Sequence, residues 1–168
     1  MGRGRDFRIA VALGAAVLGL SACGFTPLYA TPGVTSGLAA VQVVAPEGRT
    51  GYLIREHLDD ALARDRGVTP AYRMELQLAE QRYPRGLRVD NVATRYEYVL
   101  TAAYSLTHLP SGAPAKTGRV RVQLTYDSAD QPYASIAAQQ DVADRAAEEA
   151  ARRIQLELAA WLATRAKG

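Results

Sequence analysis

From Val92 to His108 the chain alternates apolar and polar residues over seventeen positions. Val92, Tyr96, Tyr98, Leu100, Ala102, Tyr104 and Leu106 fall on one face, while Arg95, Glu97, Thr101, Ser105 and Thr107 fall on the other. Strand side chains point alternately to the two faces of a sheet, so the run predicts one long strand with one face buried and the other wet. The same alternation marks Tyr72 to Leu78, where Tyr72, Met74, Leu76 and Leu78 oppose Arg73, Glu75 and Gln77. It returns from Thr117 to Tyr126, where Gly118, Val120, Val122, Leu124 and Tyr126 oppose Thr117, Arg119, Arg121, Gln123 and Thr125. Strands that keep one polar face belong to a sheet covered on one side only.

The cover must come from helices, and two are written in the sequence. Thr50 stands where a helix N-cap belongs, and Ile54, Leu58, Ala61 and Leu62 recur at helical spacing up to about Arg64, with Gly67 as the stop. Pro132 suits a first helical turn. From Tyr133 to about Arg165 the chain is alanine-rich, with a stripe of Ile136, Ala143, Ala147, Ala150, Ile154, Leu158 and Trp161. Asp141–Arg145, Glu148–Arg152 and Glu149–Arg153 are expected as i,i+4 pairs. A short β-branched run, Leu38 to Val44, ends at Pro46 and reads as the first strand. The expected fold is α+β, in the order β-α-β-β-β-α, with two helices packed on one face of a four-stranded sheet. The longest strand and the last helix both reach about 50 Å, which makes the body elongated.

The N-terminus is of another kind. Arg3, Arg5 and Arg8 precede an uncharged apolar run from Ile9 to Leu20. A bilayer-spanning helix needs about 20 apolar residues, so this run fits the apolar core of a secretory signal better than a membrane span. Leu20-Ser-Ala-Cys23 follows, the pattern of bacterial lipoprotein signals. The reading is therefore a signal peptide at 1–22, a lipidated tether at 23–37 rich in Gly, Pro, Ser and Thr, and a folded domain at 38–168. Cys23 is the only cysteine; it rules out an internal disulfide and leaves lipidation as its evident use. Gly24 follows the cysteine, and the lack of aspartate there favours sorting to the outer membrane.

Composition excludes several function classes. The formal charge of +3 falls to +1 once Arg3, Arg5, Arg8 and Asp6 leave with the signal, so the mature chain lacks the basic balance of a nucleic-acid binder. No HExxH, phosphate-binding glycine loop or metal-ligand cluster is present. His57 lies inside a predicted helix and His108 at a strand end, and neither has an acid and a nucleophile at triad-like order. Non-enzymatic action is expected. Asp59-Asp60 and Glu148-Glu149 sit at adjacent helical positions, which diverge by about 100° and suit solvated faces.

One surface is less plain. The wet face of the sheet carries Arg73, Arg95, Arg119 and Arg121, and the segment after the second strand, read as a loop, adds Arg82, Arg85 and Arg88. Only Lys116 and Lys167 carry positive charge on lysine. Guanidinium groups make planar, bidentate contacts with phosphate and carboxylate, which suits an anionic ligand. Strands also display arginine for solubility and to protect edges. Arg85, Arg88, Arg95, Arg119 and Arg121 are the candidate ligand-binding residues.

Cys23-Gly-Phe-Thr-Pro-Leu-Tyr29 resembles the start of LptE lipoproteins of alphaproteobacterial type. Ala93-Thr-Arg-Tyr96, Tyr104-Ser-Leu106, Tyr126 with Tyr133-Ala134, and the alanine-rich helix through Arg153-Ile154 are similar as well. The resemblance covers the mature chain and implies a role in lipopolysaccharide transport in a Gram-negative envelope. It implies a protein held on the periplasmic face of the outer membrane that plugs and helps assemble the LptD β-barrel and contacts lipopolysaccharide. It implies no cofactor beyond the diacylglycerol and N-acyl lipid on Cys23. The competing reading is a periplasm-facing lipoprotein that scaffolds another transporter or binds peptidoglycan.

Overall fold

The computed structural model describes residues 32–87, 93–128 and 131–166. The signal segment, Cys23, the start motif and Arg88 lie outside the described residues. Seven elements follow in chain order: α1 (Val34–Ala39), β1 (Val41–Val44), α2 (Arg49–Ala61), β2 (Tyr72–Leu87), β3 (Ala93–His108), β4 (Ala113–Asp127) and α3 (Pro132–Arg165). The sheet order is β1-β2-β3-β4. β1 lies parallel to β2, with α2 as the crossover that a parallel pair requires. β2–β3 and β3–β4 are antiparallel hairpins. Both long helices cover the predicted apolar face, giving the expected α+β layers.

Several boundaries differ from the sequence reading. α2 begins at Arg49 with Gly48 at its N-cap, so Thr50 lies inside the helix instead of capping it, and β4 begins at Ala113, four residues before the expected Thr117. Val34–Ala39, expected partly as tether and partly as strand, is a short helix whose Val34 and Leu38 are buried. β2 continues nine residues past Leu78, through the segment read as a loop. Its breakers are tolerated because β1 pairs only with Tyr72–Glu75. Beyond that point β2 is an edge strand, where the N–H that Pro84 lacks is not needed by a neighbour. α2 ends at Ala61, before the predicted stop at Gly67. The amides of Ala63 and Arg64 donate to the carbonyls of Asp60 and Asp59. Ala63 takes φ 49°, the left-handed position of a Schellman cap usually given to glycine.

Gln131 caps α3 in an extended conformation, with Pro132 opening the helix. Ala143, Ala146, Ala147, Ala150, Ala151, Ile154, Leu158 and Ala159 are buried against the sheet and α2. Ile136 was expected in this stripe but is 51% exposed, as is Tyr133 at 88%, because the first turns of α3 rise clear of the core. Asp141–Arg145 and Glu149–Arg153 pair as expected. Arg152 pairs with Glu149 three residues earlier instead of Glu148. The two guanidinium groups, Arg152 first, hold the Glu149 carboxyl below its usual range.

Polar atoms on the covered face find partners both within the sheet and across to α3. The Tyr98 hydroxyl donates to Glu80 at 2.7 Å, and the Tyr104 hydroxyl to Glu157 on α3 at 2.6 Å. Gly118 lies beside Tyr104 on the neighbouring strand, where a Cβ would come within 2.4 Å of the ring. Glycine here makes room for the aromatic ring that ties sheet to helix. The sheet has two ends: the base, with the starts of β1, β2 and β4 and the C-terminus of α3, and the tip, some 50 Å away by strand rise.

Candidate functional site: the arginine-bearing face of the sheet

Alternation and register together place Arg73, Arg85, Arg95, Arg119 and Arg121 on the face opposite the helices. All five are exposed. Arg82 departs from the expectation. It belongs to β2, not a loop, and faces the helices, where it donates to Gln139 on α3 at 2.7 Å. Arg85 likewise sits on β2, directly opposite Arg95 on β3.

The sequence pattern already puts Glu75 and Glu97 on this face beside the arginines. The structure adds Asp127 and shows which arginine each acid meets. Arg73 donates to Glu75 at 3.1 Å, Arg85 to Glu97 at 2.8 Å, and Arg95 to Asp127 at 2.8 Å. Glu97 also accepts from Gln123 at 3.1 Å. The hydrogen bond from Arg95 to Asp127, then the charge of that carboxylate, raises the Arg95 pKa. These pairs are solvated and hold orientation more than they add stability. Among the described residues no salt bridge involves Arg119 or Arg121, both on edge strand β4. The uncompensated positive charge of the face is therefore concentrated on these two.

The floor beside them is small and polar. Arg121 pairs with Thr101 and Arg119 with Ala103; the next strand brings Ala79 and Gln77 into the same rows. Where β1 stops, a shallow cleft of about 380 Å³ opens between Val44–Pro46 and Glu75, Gln77, Ala103 and Ser105. Sequence reading marked the arginines but not this low floor, whose signal is the small side chains Ala79, Thr101, Ala103 and Ser105 at matched register. A flat floor with two free guanidinium groups at its edge can hold an extended anionic molecule by charge and donor count.

The histidines build no comparable centre. His57 Nε2 lies 2.8 Å from Asp144 Oδ1, a spatial pairing of α2 with α3 that chain order did not show. His108 Nδ1 lies 2.9 Å from Ser111 in the β3–β4 turn. Neither lines the cleft beside the arginines. Among the described residues no three His, Cys, Asp or Glu side chains cluster as a metal site.

The family model described as lipopolysaccharide-assembly, LptE, matches residues 38–158. A crystal structure of a lipoprotein from Caulobacter crescentus CB15 is similar at TM-score 0.69 and 56% identity, covering 79% of this chain and 97% of that one. Rare lipoprotein B of Shewanella oneidensis is similar at TM-score 0.55 and 14% identity, over 71% of this chain and 92% of that one. Lipoprotein B of Nitrosomonas europaea is similar at TM-score 0.55 and 15% identity, over 72% and 82%. At those identities the last two speak for the fold alone. No curated protein matches the chain.

Proposed function

The chain belongs to the LptE lipopolysaccharide-assembly family, and on that basis we propose that it is an outer-membrane lipoprotein, lipidated on Cys23. In this reading it plugs and helps assemble an LptD-type β-barrel and takes part in lipopolysaccharide transport. It acts by binding, with no covalent step and no cofactor beyond its own lipid. The observation that carries the reading is the shape joined to the family: a narrow two-layer body about 50 Å long by strand rise, one face packed and the other polar. Such a body suits a lumen whose wall is polar. Lipid on Cys23 would fix the body to the periplasmic face of the membrane, since several acyl chains on one residue hold far better than one. Arg119 and Arg121 would meet the phosphates of lipopolysaccharide or acidic groups of the barrel wall.

Purification of the lipidated protein from solubilised outer membranes tests the partner: an LptD-type barrel should accompany it, and its absence would refute the plug. Reversing charge in R119E/R121E should weaken lipopolysaccharide binding by at least about tenfold, because hydrogen bonds to charged groups are the strong ones. Unchanged binding would remove these residues from the site.

A further inference from the structure

The base of the sheet gathers features that the plug does not use. Four segments meet there. Ala71 N donates to Ala40 O and Leu109 N to Ala71 O, joining the α1–β1 junction, the loop at 62–71 and the β3–β4 turn. Gly37 of α1 abuts Leu162 near the end of α3. On this end Val68 and Leu109 stand at loop tips, 44% and 41% exposed. Trp161, the single tryptophan of the chain, packs edge-on against Tyr72 at 5.4 Å, with Tyr72 also against His108 at 5.3 Å. The Arg165 guanidinium lies 5.2 Å from the Trp161 ring centre. Arg64, Arg66 and Arg165 are the charged residues of these segments together with one acid, Asp65, among the described residues. Arg64 is committed to the Ala39 carbonyl at 3.1 Å, which leaves Arg66 exposed beside Val68.

Exposed aliphatic loop tips, a half-buried tryptophan and tyrosine, and surplus arginine form the combination that settles at a lipid headgroup boundary. The chain's path points the same way. The described residues begin at Pro32, at the base, nine positions after Cys23. Nine residues span at most about 30 Å when fully extended, so the base is the end that an anchored chain keeps near the bilayer. We propose that this end is a membrane seat. Val68 and Leu109 enter the interface, Trp161 and Tyr72 lie at headgroup level, and Arg66 and Arg165 meet the phosphates of anionic phospholipids. The seat is what the anchored body rests on when no barrel holds it. The inference rests on lipidation of Cys23.

The lipidated full-length mature protein, reconstituted in phosphatidylcholine vesicles containing phosphatidylglycerol and a headgroup-nitroxide lipid, tests it. Flotation with the vesicles reports the anchor, and quenching of Trp161 fluorescence reports the seat. The expected result is protein that floats, with Trp161 strongly quenched and its emission shifted to the blue. V68D/L109D should still float and lose the quenching. R66A should shift the ratio of seated to unseated molecules about fivefold toward unseated on these vesicles. Protein that floats with Trp161 unquenched, or V68D/L109D quenched like the parent, would overturn the seat and leave the anchor standing. Protein that fails to float would overturn the anchor and the seat with it.

Discussion

Substituting Gly118 by alanine tests how the sheet is fastened to α3. A Cβ at this position would lie 2.4 Å from both Cζ and Oη of Tyr104 and 2.5 Å from Cε1, against an ordinary carbon contact of about 3.5–4.0 Å. The ring must therefore retreat by about 1 Å, but it is 3% exposed and has nowhere free to go. Retreat also stretches the hydrogen bond to Glu157, now 2.6 Å. Overpacking of this kind costs about 1–3 kcal/mol, and a hydrogen bond to a charged group contributes about 1.5–3 kcal/mol. Since part of that bond survives, the expected loss is about 3 kcal/mol, or roughly 10 °C in Tm for a domain of this size. Thermal melts followed by circular dichroism would measure it. The decisive comparison repeats the change in a Tyr104→Leu background. With the ring gone, alanine should cost nothing and should regain the few tenths to 1 kcal/mol that glycine loses in a strand. An equal loss in both backgrounds would refute the idea that Gly118 exists to admit the ring.

Ala63→Gly should raise stability by about 1 kcal/mol in urea unfolding, since an alanine in the left-handed region costs roughly 1–2 kcal/mol that glycine does not; a loss would argue against the Schellman cap. Burial first, then Glu80 for Tyr98 and Glu157 for Tyr104, pushes both phenol pKa values well up. Below pH ~10 both phenols are neutral folded or unfolded; above it the unfolded chain ionises first, so stability should fall as pH climbs. Urea midpoints between pH 8 and 11 should show this slope, and Y98F/Y104F should flatten it.

The core of the fold could be read from pattern alone because a half-buried sheet writes its burial at every second residue. β3 was legible along nearly its whole length, since Tyr96 to Leu106 alternate except at Val99, which is buried on the polar face. β2 was legible only to Leu78. Past that point its helix-facing positions are Glu80, Arg82 and Pro84, which reach partners instead of an apolar core: Glu80 accepts from Tyr98 and Arg82 donates to Gln139. Those partners lie 18 and 57 residues away, beyond any local signal. α1 hid behind its composition. Gly37 reads as a linker residue, yet a Cβ there would lie 3.0 Å from Leu162, so the glycine serves close packing. On the polar face the arginines and two of the acids, Glu75 and Glu97, were visible, but not Asp127 or which acid answers which arginine. Whether Arg85 meets Glu97, or Arg95 meets Asp127, depends on hairpin register, which a one-residue slip would reverse.

The buried alanines of α3 have a mechanical meaning. Ala143, Ala146, Ala147, Ala150, Ala151 and Ala159 each end at Cβ, so the helix backbone lies almost directly on its neighbours and the body is thin for its length. Bulk added in this row would act as a shim, lifting α3 and widening the cross-section without shortening the molecule or altering its polar face. In the proposed plug, calibre is selected apart from stability. An alanine-to-leucine change that the isolated domain survives could still make it too wide to fit.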